Sequence, residues 1–372
     1  MNIIFVLASL GSGGAERVVS LLANKMVERK HQVEIICLKF NDVYYQIDSR
    51  VKVTLAMQQT KSRLTEIFWL RNYIYKKKPD VVIPFTEGVY CFTIFSLLGT
   101  HIPIIASERL DPAAMSPTRK LLKRLFLPFA DWLVVQTQSI KDYFPKRIQK
   151  KTSIIYNPVN EDVFKSLDGL QVQGANAASS VQSLNTPMEG RGQERLNRII
   201  SVGRLYPQKN QKMMIRAFAK IADDFPDWQL VIYGEGPLRA ELESLVSSFK
   251  LQERVLLPGR TENVIEELRK SKIFCLSSDY EGMSNAMIEA ICVGLPVIST
   301  KVSGTNELIK DKETGCLVDL DNEMMLSSAM AFLMGNETVR KEMSHRNIIK
   351  SNKFNQVSIV NEWIELINFV IS

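Results

Sequence analysis

Twice along this chain, short runs of apolar and β-branched residues alternate with helical patterns, and that rhythm leaves few folds open. In the first half the runs are NIIFVLA, QVEIICL, DVVIPF, PIIAS, WLVVQT and TSIIYN; in the second they are RIISVG, WQLVIYG, RVLLPG, IFCLSS and PVIST. Strands that are apolar on both faces belong in parallel sheets covered by helices on both sides. Two such series predict an α/β protein of two doubly wound domains, and 372 residues is more than one ordinary core organises. The first domain is expected over residues 1–167 and the second over 196–354. Between them, 168–195 is rich in Gly, Ser, Asn, Gln and Ala without periodicity, and reads as a flexible insertion. The last segment, about 355–372, has an amphipathic helical pattern and can cross back onto the first domain.

A hydrophobic content of 45% and a charged content of 23% fit a soluble globular protein, and no apolar run reaches the length of a membrane span. The opening MNIIFVLASLGSGG has no basic n-region and reads as a buried first strand rather than a signal peptide. Five cysteines, an odd number with no C-x-x-C pair, suggest free buried thiols in a cytosolic protein. The three histidines, His31, His101 and His345, stand apart from any cysteine cluster, which argues against structural zinc. Net charge is +7 and uneven: residues 1–165 carry 24 Lys and Arg against 14 Asp and Glu, the remainder 23 against 26. A basic front half suits an anionic partner such as a phosphorylated substrate, an anionic membrane or nucleic acid; it is also compatible with a plain surface bias.

The chemistry is carried by loops that follow strands. In LASLGSGGAERVV a strand ends, glycines follow and a helix begins at about Ala15, running to Arg29. Glycines admit a ligand close to the backbone and a helix N-terminus offers amides to an anion. The dinucleotide fingerprint fails, because counting from Gly11 its last glycine falls at Glu16. A tight turn needs those glycines as much as a ligand does. SVGRLYPQKN places Gly203, Arg204 and Lys209 at the carboxyl edge of the second sheet, where doubly wound folds bind ligands. Two cations there either neutralise a diphosphate or are solvated loop charges. Gly234 and Gly259 follow later strands as turn residues first.

In EGMSNAMIEAICVGLPV, Ser284 or Asn285 can cap a short helix that ends before Gly294. Glu281 then lies in the preceding loop and Glu289 about one turn inside the helix. The amides of Gly282, Met283 and Ser284 face whatever occupies the helix N-terminus, and a phosphate there is favoured by the helix dipole. Carboxylates beside a phosphate accept hydrogen bonds from neutral hydroxyls on either side of it. A ligand with hydroxyls flanking a diphosphate is a nucleotide sugar.

Taken in order, GSGGAER, GRLYPQKN, YGEGP and Glu281-x7-Glu289 resemble the retaining GT-B glycosyltransferases of family 4, over nearly the whole chain outside 168–195. The likeness is greatest to bacterial enzymes that extend lipid-linked oligosaccharides in capsule, O-antigen or N-glycan assembly. The resemblance implies that Glu289 binds the ribose, Glu281 holds the donor sugar, and Arg204 and Lys209 stabilise the departing nucleoside diphosphate. It implies donor contacts at Gly13, Gly14, Glu16, Gly203, Gly234, Arg260, Gly282, Met283, Ser284 and Asn285. It further implies a UDP-linked N-acetylhexosamine or hexose as donor, a polyprenyl-diphosphate-linked glycan as acceptor, and neither cofactor nor metal. Catalysis is then electrostatic, with one stabilising group commonly worth ~3 kcal/mol.

Many members of that family place a histidine where ASERLDP has Arg109. Arginine can hydrogen-bond a sugar hydroxyl or a phosphate but cannot act as a base near neutrality; an ion pair with Glu108 or Asp111 is as good a use for it. Downstream, SPTRKLLKRLFLPFADWL read as a helix puts Arg119, Lys120, Lys123 and Arg124 on one face and Leu121, Leu122, Leu125 and Phe126 on the other. This predicts a basic face on an anionic membrane or acceptor, hence a peripheral protein at the inner face of the bacterial cytoplasmic membrane; an ordinary surface helix with its leucines on the core is the alternative. Two other classes stand beside the transferase: a nicotinamide-dependent oxidoreductase, and a non-catalytic binder of sugar nucleotides or nucleic acid. Aromatics are not interleaved with the basic residues, so nucleic acid is not expected.

Overall fold

In the computed structural model, which describes residues 1–11, 13–39, 43–56, 62–111, 115–165 and 195–372, the apolar runs form parallel strands as their pattern predicts. In the first half, β1 (Asn2–Leu7), β2 (Gln32–Cys37), β3 (Lys52–Leu55) and β4 (Val81–Pro84) pair in the order β3-β2-β1-β4. β5 (Ile105–Ser107), β6 (Trp132–Val135) and β7 (Thr152–Ile154) extend this array through single bridges from Val82 to Ile104 and from Phe85 to Ser107. In the second half, β8 (Arg198–Val202), β9 (Gln229–Tyr233), β10 (Val255–Gly259), β11 (Ile273–Leu276), β12 (Val297–Thr300) and β13 (Gly315–Val318) pair in the order β10-β9-β8-β11-β12-β13. In each half the order reverses beside the first strand of the series, β1 or β8. Loops diverge at such a switch point and leave a crevice at the carboxyl ends of the strands.

Burial explains which strands were legible. Ile3, Ile4, Phe5 and Val6 of β1 are wholly buried, so both faces must be apolar. The pattern did not announce β3 and β13. Each is a four-residue edge strand paired on one side, β3 with exposed Lys52 and Val53, β13 opening on a glycine.

Helices α1 (Gly14–Glu28), α2 (Arg63–Lys77), α3 (Glu87–Leu97) and α4 (Pro117–Phe126) flank the first sheet array. The final helix, Gln356–Ile371, packs there too. Its Ile359, Trp363 and Ile367 are fully buried in the same core as Ile3, Phe5 and Phe85, and Trp363 stacks on Phe85 with ring centroids 5.9 Å apart. Gln356 Nε2 donates to the Leu21 carbonyl of α1 at 3.0 Å. The expected insertion lies outside the described residues except for Arg195, which donates to the Val293 carbonyl at 2.8 Å.

Helix α4 corrects the expected orientation. Glu87 and Glu108 are buried at 2% and 0% exposure, and a buried carboxylate requires a partner. Arg119 and Lys123, four residues apart on one side of α4, supply them. Arg119 Nη2 lies 2.7 Å from Glu87 Oε2, and Lys123 Nζ is ion-paired with Glu108 Oε2, which also accepts from the Tyr90 hydroxyl at 2.9 Å. Lys123, expected on a membrane-facing basic surface, is therefore buried, while Arg124 is exposed. Seating two cations inward rolls the leucines outward, so Leu121, Leu122 and Leu125 are exposed rather than packed on the core.

Candidate active site

Two helix N-termini meet across the crevice between the halves. One begins α1, after Gly13, and has no side-chain cap. The other begins helix Asn285–Cys292, where the Ser284 hydroxyl accepts from the Met287 amide at 3.4 Å. The ends are tied together by Asn285, whose Nδ2 donates to the Gly14 carbonyl at 3.3 Å and whose Oδ1 accepts from Asn157 Nδ2 at 2.6 Å. Unpaired amides and aligned peptide dipoles make both ends attractive to negative charge.

One turn along each helix, Arg17 and Glu289 face each other, with Arg17 Nη2 ion-paired to Glu289 Oε1. Glu289 is 2% exposed, so Arg17 is the charge partner of a carboxylate buried at the crevice. A second pair joins the loop after β8 to the loop after β11. There Lys209 Nζ is ion-paired with Glu281 Oε1, which also accepts from Ser278 Oγ at 2.9 Å. Gly203 leaves room for the lysine stem, since a Cβ there would sit 3.3 Å from Lys209 Cε. The Arg204 guanidinium lies 5.0 Å from the Tyr206 ring centroid and acts electrostatically on Glu16 from across the crevice. Burial raises the Glu16 carboxyl above its ordinary pKa, and its own backbone amide and then Arg204 oppose this. Arg260 is exposed beyond Gly259 and within electrostatic reach of Glu235.

Gly234, with φ of 147°, is a turn glycine as anticipated; a Cβ there would lie 1.9 Å from the Gly203 carbonyl oxygen. A Cβ on Gly282, whose amide is expected to face a ligand, would lie 2.3 Å from the Arg109 carbonyl oxygen, so its smallness also serves contact between the halves. Met283 and Ser284 are buried beside it. Arg109, expected to contact a sugar hydroxyl or a phosphate or to pair with Glu108 or Asp111, lies against two aromatic rings. Its guanidinium lies 4.4 Å over the Phe85 ring and 6.0 Å from that of Trp363, and its Nη1 donates to Asn157 Oδ1 at 2.7 Å. Burial draws its pKa below the ordinary guanidinium value, with Glu108 opposing the shift, and its Nε and Nη2 have no hydrogen-bond partner. Glu108 is taken by Lys123 and Tyr90. Arg109 thus supports Asn157, which supports Asn285.

Sequence reasoning overlooked Arg17 and Asn157. Arg17 stands one turn after the glycines of GSGGAER, so helical spacing from Gly13 could have found it; nothing in TSIIYN singles out Asn157. Among the described residues, no three or more His, Cys, Asp or Glu side chains are gathered as a metal ion would require.

Residues 12–163 match the family described as Glycosyltransferase Family 4, and residues 188–351 that described as Glycosyl transferases group 1. An α-1,4-N-acetyl-D-galactosaminyltransferase of Campylobacter jejuni is 32% identical, covering 99% of this chain and 98% of its own. The chain is a family 4 glycosyltransferase. A glycosyltransferase of amylovoran biosynthesis from Erwinia amylovora is 25% identical, with 96% of each chain covered. Among solved structures, HepE from Anabaena in complex with UDP superposes with a TM-score of 0.79 at 17% identity, covering 99% of this chain and 100% of the other. Sucrose-phosphate synthase of Thermosynechococcus elongatus superposes with a TM-score of 0.78 at 18% identity, covering 100% and 99%. The two doubly wound halves are thus those of a GT-B glycosyltransferase, and the oxidoreductase and non-catalytic readings fall away.

Proposed function

We propose that this glycosyltransferase moves a sugar, with retention of anomeric configuration and without a metal, from a UDP-linked donor to a polyprenyl-diphosphate-linked glycan. The observation that carries the donor half is the pairing of two partly or wholly buried carboxylates, Glu281 and Glu289, with two cations beside converging helix N-termini. In this reading Glu289 accepts from the ribose hydroxyls and Glu281 from the sugar. The diphosphate lies between them, near Lys209 and Arg204. Support for the acceptor comes from the Campylobacter relative, whose name specifies an undecaprenol-PP-linked glycan.

The chemistry balances without a covalent intermediate on the protein. The anomeric C–O bond to the diphosphate breaks, and its electron pair stays on the departing phosphate oxygen. The acceptor hydroxyl forms the new C–O bond on the same face and passes its proton to that oxygen. The protein's task is to stabilise charge developing on the leaving group, which preorganised cations and helix ends do without reorganising.

Membrane association belongs to the same proposal, with the contact surface revised. No helix among the described residues is long and apolar enough to cross a membrane. The exposed Leu121, Leu122 and Leu125 of α4, with Phe129 just beyond, make an apolar surface beside exposed Arg124, suited to shallow insertion under anionic headgroups. The deciding experiment incubates the protein with radiolabelled UDP-hexoses and UDP-N-acetylhexosamines, a panel of polyprenyl-diphosphate-linked glycans, and EDTA. Transfer that survives EDTA, with the donor's anomeric configuration kept by NMR, is the expected result. An inverted product, or transfer abolished by EDTA and restored by a divalent ion, would overturn the corresponding part.

A further inference from the structure

The proposed donor site contains a cation that the donor-binding roles above leave unused. Arg17 projects from the first turn of α1, and its carboxylate partner is Glu289, assigned above to the ribose. The two uses of Glu289 conflict: a carboxylate oxygen held by a guanidinium is less free to accept from a ribose hydroxyl. The chain shows the same arrangement again at Lys209 and Glu281. Glu281 and Glu289, the two carboxylates assigned to the donor's hydroxyls, are thus each paired with a cation of the chain itself.

A nucleoside diphosphate sugar brings roughly two negative charges on its phosphates and neutral hydroxyls on either side. We propose that Arg17 is a donor-binding residue that exchanges partners: as the ribose hydroxyls take Glu289, its guanidinium moves to the diphosphate. The inference rests on the donor reading given above. Every charged group then has a polar partner in both arrangements. Two carboxylates face two cations before binding; two cations face two phosphate charges afterwards, while the carboxylates accept from neutral hydroxyls. Three observations support the exchange. Glu289 is buried at the crevice with Arg17 as its ion-pair partner, so a hydroxyl that takes the carboxylate must displace the guanidinium. Arg17 is a quarter exposed, which leaves its long side chain room to turn. Gly14 and Asn285 hold the two helix ends together one turn away, so the region favourable to a diphosphate lies within reach of the arginine.

Because Arg17 competes with ribose but assists phosphate, its removal should separate nucleoside from nucleotide. The test measures binding of UDP and of uridine, with GDP and guanosine in parallel, to the full-length protein and its Arg17→Gln, Arg17→Lys and Glu289→Gln variants. Arg17→Gln should weaken the nucleoside diphosphate at least tenfold and leave the nucleoside unchanged or tighter. Its affinity for the diphosphate should also depend less on salt, one ionic contact having gone. Arg17→Lys, which keeps the charge but not the fork, should fall between. Equal losses for nucleoside and diphosphate in Arg17→Gln would mark a merely structural residue and overturn the inference, as would no loss at all. Glu289→Gln reports separately on the underlying reading, since it should weaken uridine and UDP alike. Wild-type protein that binds no nucleoside diphosphate removes both.

Discussion

At Glu289 a single carboxylate, 2% exposed, answers to an arginine across the crevice and is assigned to a sugar hydroxyl. A hydrogen bond to a charged acceptor contributes about 1.5–3 kcal/mol, so Glu289→Ala should weaken UDP binding roughly tenfold to a hundredfold, read by calorimetric titration. Unchanged affinity and full transfer in that variant would refute the ribose assignment. The cysteines illustrate burial acting on one group. Burial pushes the Cys37 and Cys91 thiols up to about 12 and that of Cys316 up to about 11, with Cys275 and Cys292 raised as well. A raised thiol pKa keeps the unreactive neutral form at pH 8. The native protein should therefore react with DTNB at that pH far more slowly than the guanidinium-unfolded chain, in which all five thiols titrate; rapid native labelling would contradict it.

Helix α4 shows how an element's orientation is decided by partners elsewhere in the chain. Its amphipathic sequence fits either orientation, and Glu87 and Glu108, from neighbouring segments, select one by requiring Arg119 and Lys123. Lys123→Met strands Glu108 in the interior and should cost about 3–5 kcal/mol, measured by urea unfolding, with much of the loss recovered in the double variant with Glu108→Gln. A Lys123 that merely faced a membrane would leave stability untouched. The outward leucines carry the opposite expectation. Leu121→Ser with Leu125→Ser should leave the melting temperature nearly unchanged, because both side chains are exposed. Partial insertion of two leucines is worth about 2 kcal/mol, so binding to phosphatidylglycerol vesicles should drop roughly thirtyfold in a sedimentation assay. Equal binding by both proteins would remove α4 as the contact.

Across the whole molecule, the final helix fastens the chain's end to the half in which it began. Trp363 lies at the centre of that junction, stacked on Phe85 and near the Arg109 guanidinium, and Arg109 leads through Asn157 to Asn285 and Gly14. Trp363→Ala should destabilise by about 3–5 kcal/mol through the cavity it leaves, seen in denaturant unfolding. It should also weaken UDP binding, because the support beneath Asn285 loosens; normal UDP affinity in the folded variant would show that this support is not needed.

Much of this was legible in one dimension because it rests on local rules. Continuous apolar runs such as NIIFVLA can only be strands covered on both faces, and Glu281, Ser284 and Glu289 acquire their loop, cap and helix positions from spacing alone. β3 escaped because two of its four residues are exposed, and β13 because it is a four-residue run that opens on a glycine. What spacing cannot supply is the identity of a partner far along the chain. That Arg17 meets Glu289, that Lys123 turns inward to Glu108, and that Gly282 is small for the sake of the Arg109 carbonyl were settled by tertiary structure. The physical reason is the same in each case: a buried charge or a close contact is resolved by whichever complementary group the fold brings within a few ångströms, at sequence separations that no periodicity encodes.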